Sequence, residues 1–232
     1  MLTDAITKAQ GLTNDGEYFY FSGKTTLTKM ALDGETTVIK KVAAIPVELT
    51  AKYNSNHLGG LSYYNGKIYA ALEDNQFYKH PLIAVYDAET LEYTGEFFEV
   101  SNQSHMAWCA VNPEDGLIYT SDWSNATQLN VYSVDGFEYV KTIELSAPID
   151  RVQGAEFYKG TLYLSSDVKN DTKPILAIDV STGVVSTAFN TNIGKGFEAV
   201  TILPMDDGSL FHIIAAGKSR LNIHFSHYSI DE

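Results

Sequence analysis

The sequence predicts an all-β protein: a five-bladed β-propeller of four-stranded antiparallel blades, with the last blade closed by the N-terminal strand. Three observations predict it. One turn-and-strand unit recurs five times along the 232 residues. The segments between turns alternate apolar and polar side chains with period two, the pattern of half-buried strands. The chain also ends one strand short of a fifth unit and begins with one strand too many.

The unit is plainest in "NHLGGLSYYNGKIYAALED", residues 56–74, which reads as two short strands joined at Asn65-Gly66, a pair suited to the positive φ of a tight hairpin. Matching segments are "GLTNDGEYFYFS", "CAVNPEDGLIYTSD", "QGAEFYKGTLYLSS" and "EAVTILPMDDGSLFHIIA". Their turn glycines are Gly16, Gly66, Gly116, Gly160 and Gly208, spaced by 50, 50, 44 and 48 residues. Two positions on stands an apolar residue each time (Tyr18, Ile68, Ile118, Leu162, Leu210). Three positions on stand Phe19, Tyr69, Tyr119, Tyr163 and Phe211, all aromatic in a chain that is only 12% aromatic, so chance does not explain the repeat.

A third strand then ends near an acidic turn ("LTKMALDGE", "LIAVYDAET", "LNVYSVDG", "ILAIDVSTG"), and a fourth alternating segment follows ("TTVIKK", "YTGEFFEV", "YVKTIELS", "VVSTAF"). No segment carries a 3.6-residue apolar period of helical length. Four strands in 44–50 residues make a propeller blade. The blades are expected at about 10–42, 56–101, 105–146, 151–190 and 196–232, the last joined by strand 2–8. Without that joining, the ring would leave open strand edges, which invite aggregation.

The formal net charge of −13 argues against nucleic acid and anionic membrane as partners, because both select basic surfaces. A monomer with a small polar ligand is expected instead. Cys109 is the only cysteine, so no internal disulfide forms. "MLTDAITKAQ" lacks the basic-then-apolar order of a signal peptide, and no stretch approaches the ~18 apolar residues of a membrane helix. The expected setting is soluble: cytoplasmic, or a mature exported domain without its signal peptide. Asn102, Asn125 and Asn170 head Asn-x-Ser/Thr triplets, which are short enough to arise by chance.

In a propeller, the loops entering the innermost strands share one face with the loops joining the second and third strands. Here those loops are long. They carry Asn56, His57, Glu73, Asp74, His80, His105, Trp108, Asp122, Trp123, Arg151, Asp167, Lys195, Lys218 and Arg220, whereas the opposite turns are short and acidic. The inner strands begin at Gln10, Gly59, Cys109, Gln153 and Glu198, each followed by Gly or Ala, as crowding at the axis requires. Gln10, Gln153 and Glu198 converge on the channel, where they bind a ligand or metal, or else water and one another.

Flat aromatics (Trp108, Trp123, Tyr53, Phe77, Tyr78 and Phe197) stand beside these polar groups, an arrangement suited to a sugar or polar metabolite. The expected ligand-binding residues are Gln10, Asn56, His57, Glu73, His105, Trp108, Trp123, Arg151, Gln153 and Glu198. His57 and His105 beside carboxylates are acid-base candidates, or zinc ligands as a pair. Cys109 reads as a small packing residue rather than a nucleophile. No G-x-S-x-G, H-E-x-x-H, P-loop or G-x-G-x-x-G motif is present.

The repeat grammar, a "Q/E-G-L" start followed by N/D-G-x-hydrophobic-aromatic, resembles the SMP-30/gluconolactonase, NHL-repeat and phytase-like propellers. In the lactonase branch the resemblance implies a divalent cation such as calcium on the axis, held by Glu, Asn and Asp at the inner-strand starts and assisting ester or lactone hydrolysis. Glu198 matches that ligand type; Gln10, Gly59, Cys109 and Gln153 depart from it. Three functions are thus expected in order: a binding propeller for a small polar ligand; a metal-assisted hydrolase with catalytic candidates His57, His105 and Glu198; and a protein-interaction scaffold.

Overall fold

The computed structural model describes residues 2–169, 172–192, 196–216 and 222–229. A short strand β1 (Leu2–Asp4) and one helical turn α1 (Ala5–Lys8) precede the repeats. Blade 1 comprises β2 (Gly11–Asn14), β3 (Tyr18–Gly23), β4 (Thr26–Ala31) and β5 (Thr37–Lys41), followed by helix α2 (Val47–Tyr53). Blade 2 comprises β6 (His57–Tyr64), β7 (Lys67–Glu73), β8 (Leu82–Asp87) and β9 (Tyr93–Glu99). Blade 3 holds β10 (Ala110–Asn112), β11 (Leu117–Thr120), β12 (Ala126–Ser133) and β13 (Tyr139–Ile149), the last running past the expected boundary at 146. Blade 4 holds β14 (Val152–Tyr158), β15 (Thr161–Ser166), β16 (Lys173–Asp179) and β17 (Val184–Thr191). Blade 5 holds β18 (Phe197–Ile202), β19 (Phe211–Ala216) and β20 (Asn222–Tyr228).

All five sheets are four-stranded, and the fifth has the order β1-β20-β19-β18, so the N-terminal strand closes the ring as the sequence predicts. Its register runs antiparallel, from Leu2 opposite His224 to Asp4 opposite Asn222. The two helices were not expected. α2 is seven residues long, buries only Leu49, starts after Pro46 and ends at Asn54 in the left-handed region (φ 58°). That is too short for a helical period to register in sequence. No helix among the described residues is long and apolar enough to cross a membrane.

The five turn aromatics do not share one face. Tyr69 leans toward blade 3 and Tyr163 toward blade 5, whereas Phe19 packs back on blade 5 and Phe211 back on blade 4. The hairpins explain this. Tyr64 pairs with Lys67 across two residues, but Asn14 pairs with Phe19 across four and Ile202 with Phe211 across eight. Equal distance from a glycine is therefore unequal register, and register decides the face.

The inner strands pack as tightly as expected. A Cβ on Gly11 would strike the Gly59 carbonyl, and one on Gly59 the Ala107 carbonyl. A Cβ on Gly60 would lie 3.2 Å from the Gln153 carbonyl oxygen, so blades 2 and 4 nearly meet across the axis. One residue after the apolar position of each inner strand stands Thr13, Ser62, Asn112, Glu156 or Thr201, polar every time. These residues sew blade to blade: Thr13 Oγ1 accepts the Tyr63 N–H (3.1 Å), Ser62 Oγ accepts that of Val111 (2.9 Å), and Glu156 Oε1 accepts that of Ile202 (3.2 Å). Buried backbone donors that no ladder can reach are satisfied this way.

Candidate functional site

The long-loop mouth is organised around Glu73, the last residue of β7, whose side chain is 3% exposed. Sheet register puts His57 opposite it, and His57 Nδ1 lies 3.4 Å from Glu73 Oε1. His105, from the loop before β10, brings Nε2 to 3.3 Å of the same oxygen. Gln10 fixes the proton on His57. Its Nε2 donates to the Ala9 carbonyl (2.6 Å), which turns Oε1 toward His57 Nε2 (2.6 Å), so that nitrogen carries a hydrogen. Contact with Glu73 becomes a hydrogen bond when Nδ1 is protonated as well. Glu73 Oε2 is buried and has no hydrogen-bond partner. A lone buried acceptor is costly, and it asks for a donor.

Beside this group runs a row of flat side chains from three blades. The Tyr78 ring stacks on His105 (4.0 Å between centroids), His105 lies 4.9 Å from Trp123, and the Arg151 guanidinium sits over the indole at 4.5 Å. Trp123 Nε1 donates to Gln153 Oε1 (3.3 Å). Arg151 is anchored by Asp167, through Nε to its carbonyl (2.6 Å) and Nη2 to its carboxylate (2.9 Å). Asp167 also takes Lys173 (3.0 Å) and the Phe197 N–H (3.1 Å), so both neighbouring cations are already paired. Tyr78 and Arg151 hold positive φ (51° and 52°), uncommon for such side chains. The Tyr78 loop is braced from within by Asp74. Burial opposes the charge of this carboxylate, but the N–H groups of Phe77, Lys79 and Gln76 hold it below the usual carboxylate range.

The structure thus gathers Gln10, His57, Glu73, His105, Trp123, Arg151 and Gln153 from the expected set. Asn56 serves the loops instead, bridging the Asn54 carbonyl (3.1 Å) and the Asn75 N–H (3.1 Å). Trp108 does not line the mouth as expected. It is fully buried among blades 3 and 4, and its indole N–H donates to Ser121 Oγ (3.2 Å). Phe197 is buried likewise. Glu198 stands partly buried at the start of the fifth inner strand, its carbonyl accepting from Ser165 Oγ (3.2 Å). Lys195, Lys218, Arg220 and Asn170 lie outside the described residues.

The calcium-type ligand set implied by the resemblance does not fit these residues. Gln10 and Gln153 are turned to His57 and Trp123, and Gly59 offers no side chain. Cys109 is sealed in the core, its thiol pushed up to about 12 by burial. No group of three His, Cys, Asp or Glu side chains among the described residues is placed to hold a metal.

Sequence reasoning missed the opposite end of the axis. There a cavity of about 170 Å³ is lined by Thr13, Asn14, Ser62, Tyr63, Glu156 and Phe157, among others. Burial pushes the Glu156 carboxyl up to about 8, against the hydrogen bonds it receives from Thr201, Ile202, Thr13 and Asn14. The signal was the polar residue recurring one place after the apolar position in every inner strand.

Fold and mouth together define a five-bladed β-propeller with its versatile side chains gathered at one end of the axis. The chain belongs to the family described as a repeat of unknown function (DUF6923), whose profile matches residues 11–205. Among solved structures it is similar to a chain of the Kuenenia stuttgartiensis hydrazine synthase, with 13% identity and a TM-score of 0.53 over 98% of this chain and 67% of that one. A chain of the mitotic checkpoint complex is 11% identical, with a TM-score of 0.48 over 94% and 73%. At such identity the likeness to the synthase chain is one of fold alone. No curated protein matches the chain in sequence.

Proposed function

We propose that the chain is a binding propeller that holds a small polar ligand at the long-loop mouth. The observation carrying this reading is Glu73: a carboxylate brought out of water, with one oxygen between two imidazoles and the other without a donor. Folding leaves that acceptor unsatisfied, and a ligand donor is the group that completes it. The row Tyr78, His105, Trp123 supplies flat faces for the ligand's apolar side, while Gln10, Gln153 and Arg151 supply orientation.

The hydrolase reading keeps an acid-base pair in His57 and Glu73 but has no metal set among the described residues. The scaffold reading finds less support, since the large exposed apolar side chains among the described residues are spread over several blades. The test is a thermal-shift and calorimetric screen of sugars and polar metabolites. A binder is expected whose effect disappears in Trp123→Ala and His105→Ala, with their ligand-free melting nearly unchanged. A screen without binders, or binders indifferent to both substitutions, overturns the proposal.

A further inference from the structure

We infer that the ligand presents a primary ammonium group to Oε2 of Glu73. This rests on the reading of the mouth as a ligand site and adds the chemical class. Glu73 Oε1 is taken by the two imidazoles, at 3.4 and 3.3 Å, while Oε2 is buried without a partner. An N–H or O–H donor completes such an acceptor, and a cationic donor does so most strongly because a buried carboxylate needs its charge matched. Among the described residues, the neighbouring cations Arg151 and Lys173 are both committed to Asp167.

The single unpartnered oxygen narrows the class. A guanidinium realises its bidentate fork only on two carboxylate oxygens, and one of these is already engaged. A quaternary ammonium brings no N–H at all. A primary ammonium is a compact charge with three donors, and it matches a single open oxygen. The Tyr78 ring can take its alkyl stem, and the −13 formal charge of the chain favours the approach of cations.

Tyr78 stacks on His105 beside Glu73. Its hydroxyl donates within its own loop, to Asn75 Oδ1 (2.9 Å), and its backbone N–H to the Asp74 carbonyl (3.1 Å). What ties this loop to the rest of the mouth is the stack on His105 and the Asn75 N–H to Asn56 bond.

The experiment titrates the whole chain at neutral pH with primary amines (ethanolamine, n-butylamine, putrescine), the neutral alcohols ethylene glycol and n-butanol, and choline, followed by NMR shift changes and calorimetry. At least one amine is expected to bind ten-fold or more tightly than the alcohols and choline, and Glu73→Gln to remove that preference. The comparison among probes needs no variant, so it stands even if Glu73→Gln folds poorly. Amine binding that alcohols or choline match, or that survives Glu73→Gln in a folded variant, overturns the inference. Neutral metabolites that bind through Trp123 and His105 while amines do not would overturn the ammonium class and leave the ligand reading standing. Binding by neither would overturn both.

Discussion

Each end of the axis holds a glutamate, Glu73 buried and Glu156 partly buried beside a cavity, and the two are treated in opposite ways. At the short-turn end, Glu156 has both oxygens filled. Oε1 accepts from Asn14 Nδ2 (3.0 Å) and the Ile202 N–H (3.2 Å), and Oε2 from the hydroxyls of Thr201 and Thr13. The donors belong to blades 1 and 5, so this carboxylate clasps blade 4 to the two blades that close the ring. At the mouth, Glu73 has one oxygen engaged and one without a donor. On the ligand reading proposed above, unused hydrogen-bonding capacity is what distinguishes Glu73 from Glu156. A filled carboxylate holds the fold together, and a half-filled one is poised for something the fold does not supply.

The comparison can be broken first at the tryptophans, where the largest effect is expected. Trp108 fills the wall and Trp123 faces the mouth. Trp108→Ala should cost about 3–5 kcal/mol of stability, the range for an emptied core site. Trp123→Ala should cost less than about 1 kcal/mol, as substitutions away from the core usually do. Urea unfolding of the two variants decides it, and equal losses would mean that the mouth row is part of the core.

The tryptophans also show how far the sequence could be read. Blade count, ring closure and the long-loop end of the axis followed from the turn glycines and loop lengths, since both are written along the chain. Which way a side chain points at the junction of loop and strand is not. Trp108 stands one residue before Cys109 and three residues after His105, yet it is buried in the wall while His105 reaches Glu73 at the mouth. Hairpin register likewise scatters the turn aromatics Phe19 and Tyr69 onto opposite faces. Glu156 was legible in principle, because Thr13, Ser62, Asn112 and Thr201 occupy its place in the other blades. Its role was not, because it depends on donors 45 to 143 residues away in sequence.

The second test sharpens the clasp. Glu156→Ala leaves the Ile202 N–H and the Thr201 hydroxyl short of an acceptor, and about 2–3 kcal/mol of stability should go with it. Glu156→Gln keeps the shape and tests the charge. The folded carboxyl is pushed up to about 8 from an ordinary 4.5, so between those values the folded chain holds a proton that the unfolded chain has released. Stability from this group is full below about pH 4.5 and is lost as pH rises through 8. His212 and His227 work the other way. Burial lowers both, so their contribution is present above the ordinary histidine value of 6.5 and is lost on acidification. The measurement is therefore the difference between wild type and Glu156→Gln at each pH, which cancels the histidines. It should decline from pH 4.5 to 8, and a flat difference would show that Glu156 is ionised throughout.

The smallest expected effect is the most telling. Glu73→Gln removes a buried charge that pairs only with histidines while keeping an oxygen for His57 and His105. If Glu73 is half-satisfied because a ligand completes it, the ligand-free fold gives up little when it goes. Melting should stay within a few degrees of wild type or rise, the usual trade between stability and a site held ready, and binding at the mouth should be lost. The reasoning would fail at its root if Glu73→Gln were destabilised as severely as Glu156→Ala. Glu73 would then be a second clasp, its unfilled oxygen a tolerated defect of packing, and the contrast between the two ends of the axis would carry no meaning for function.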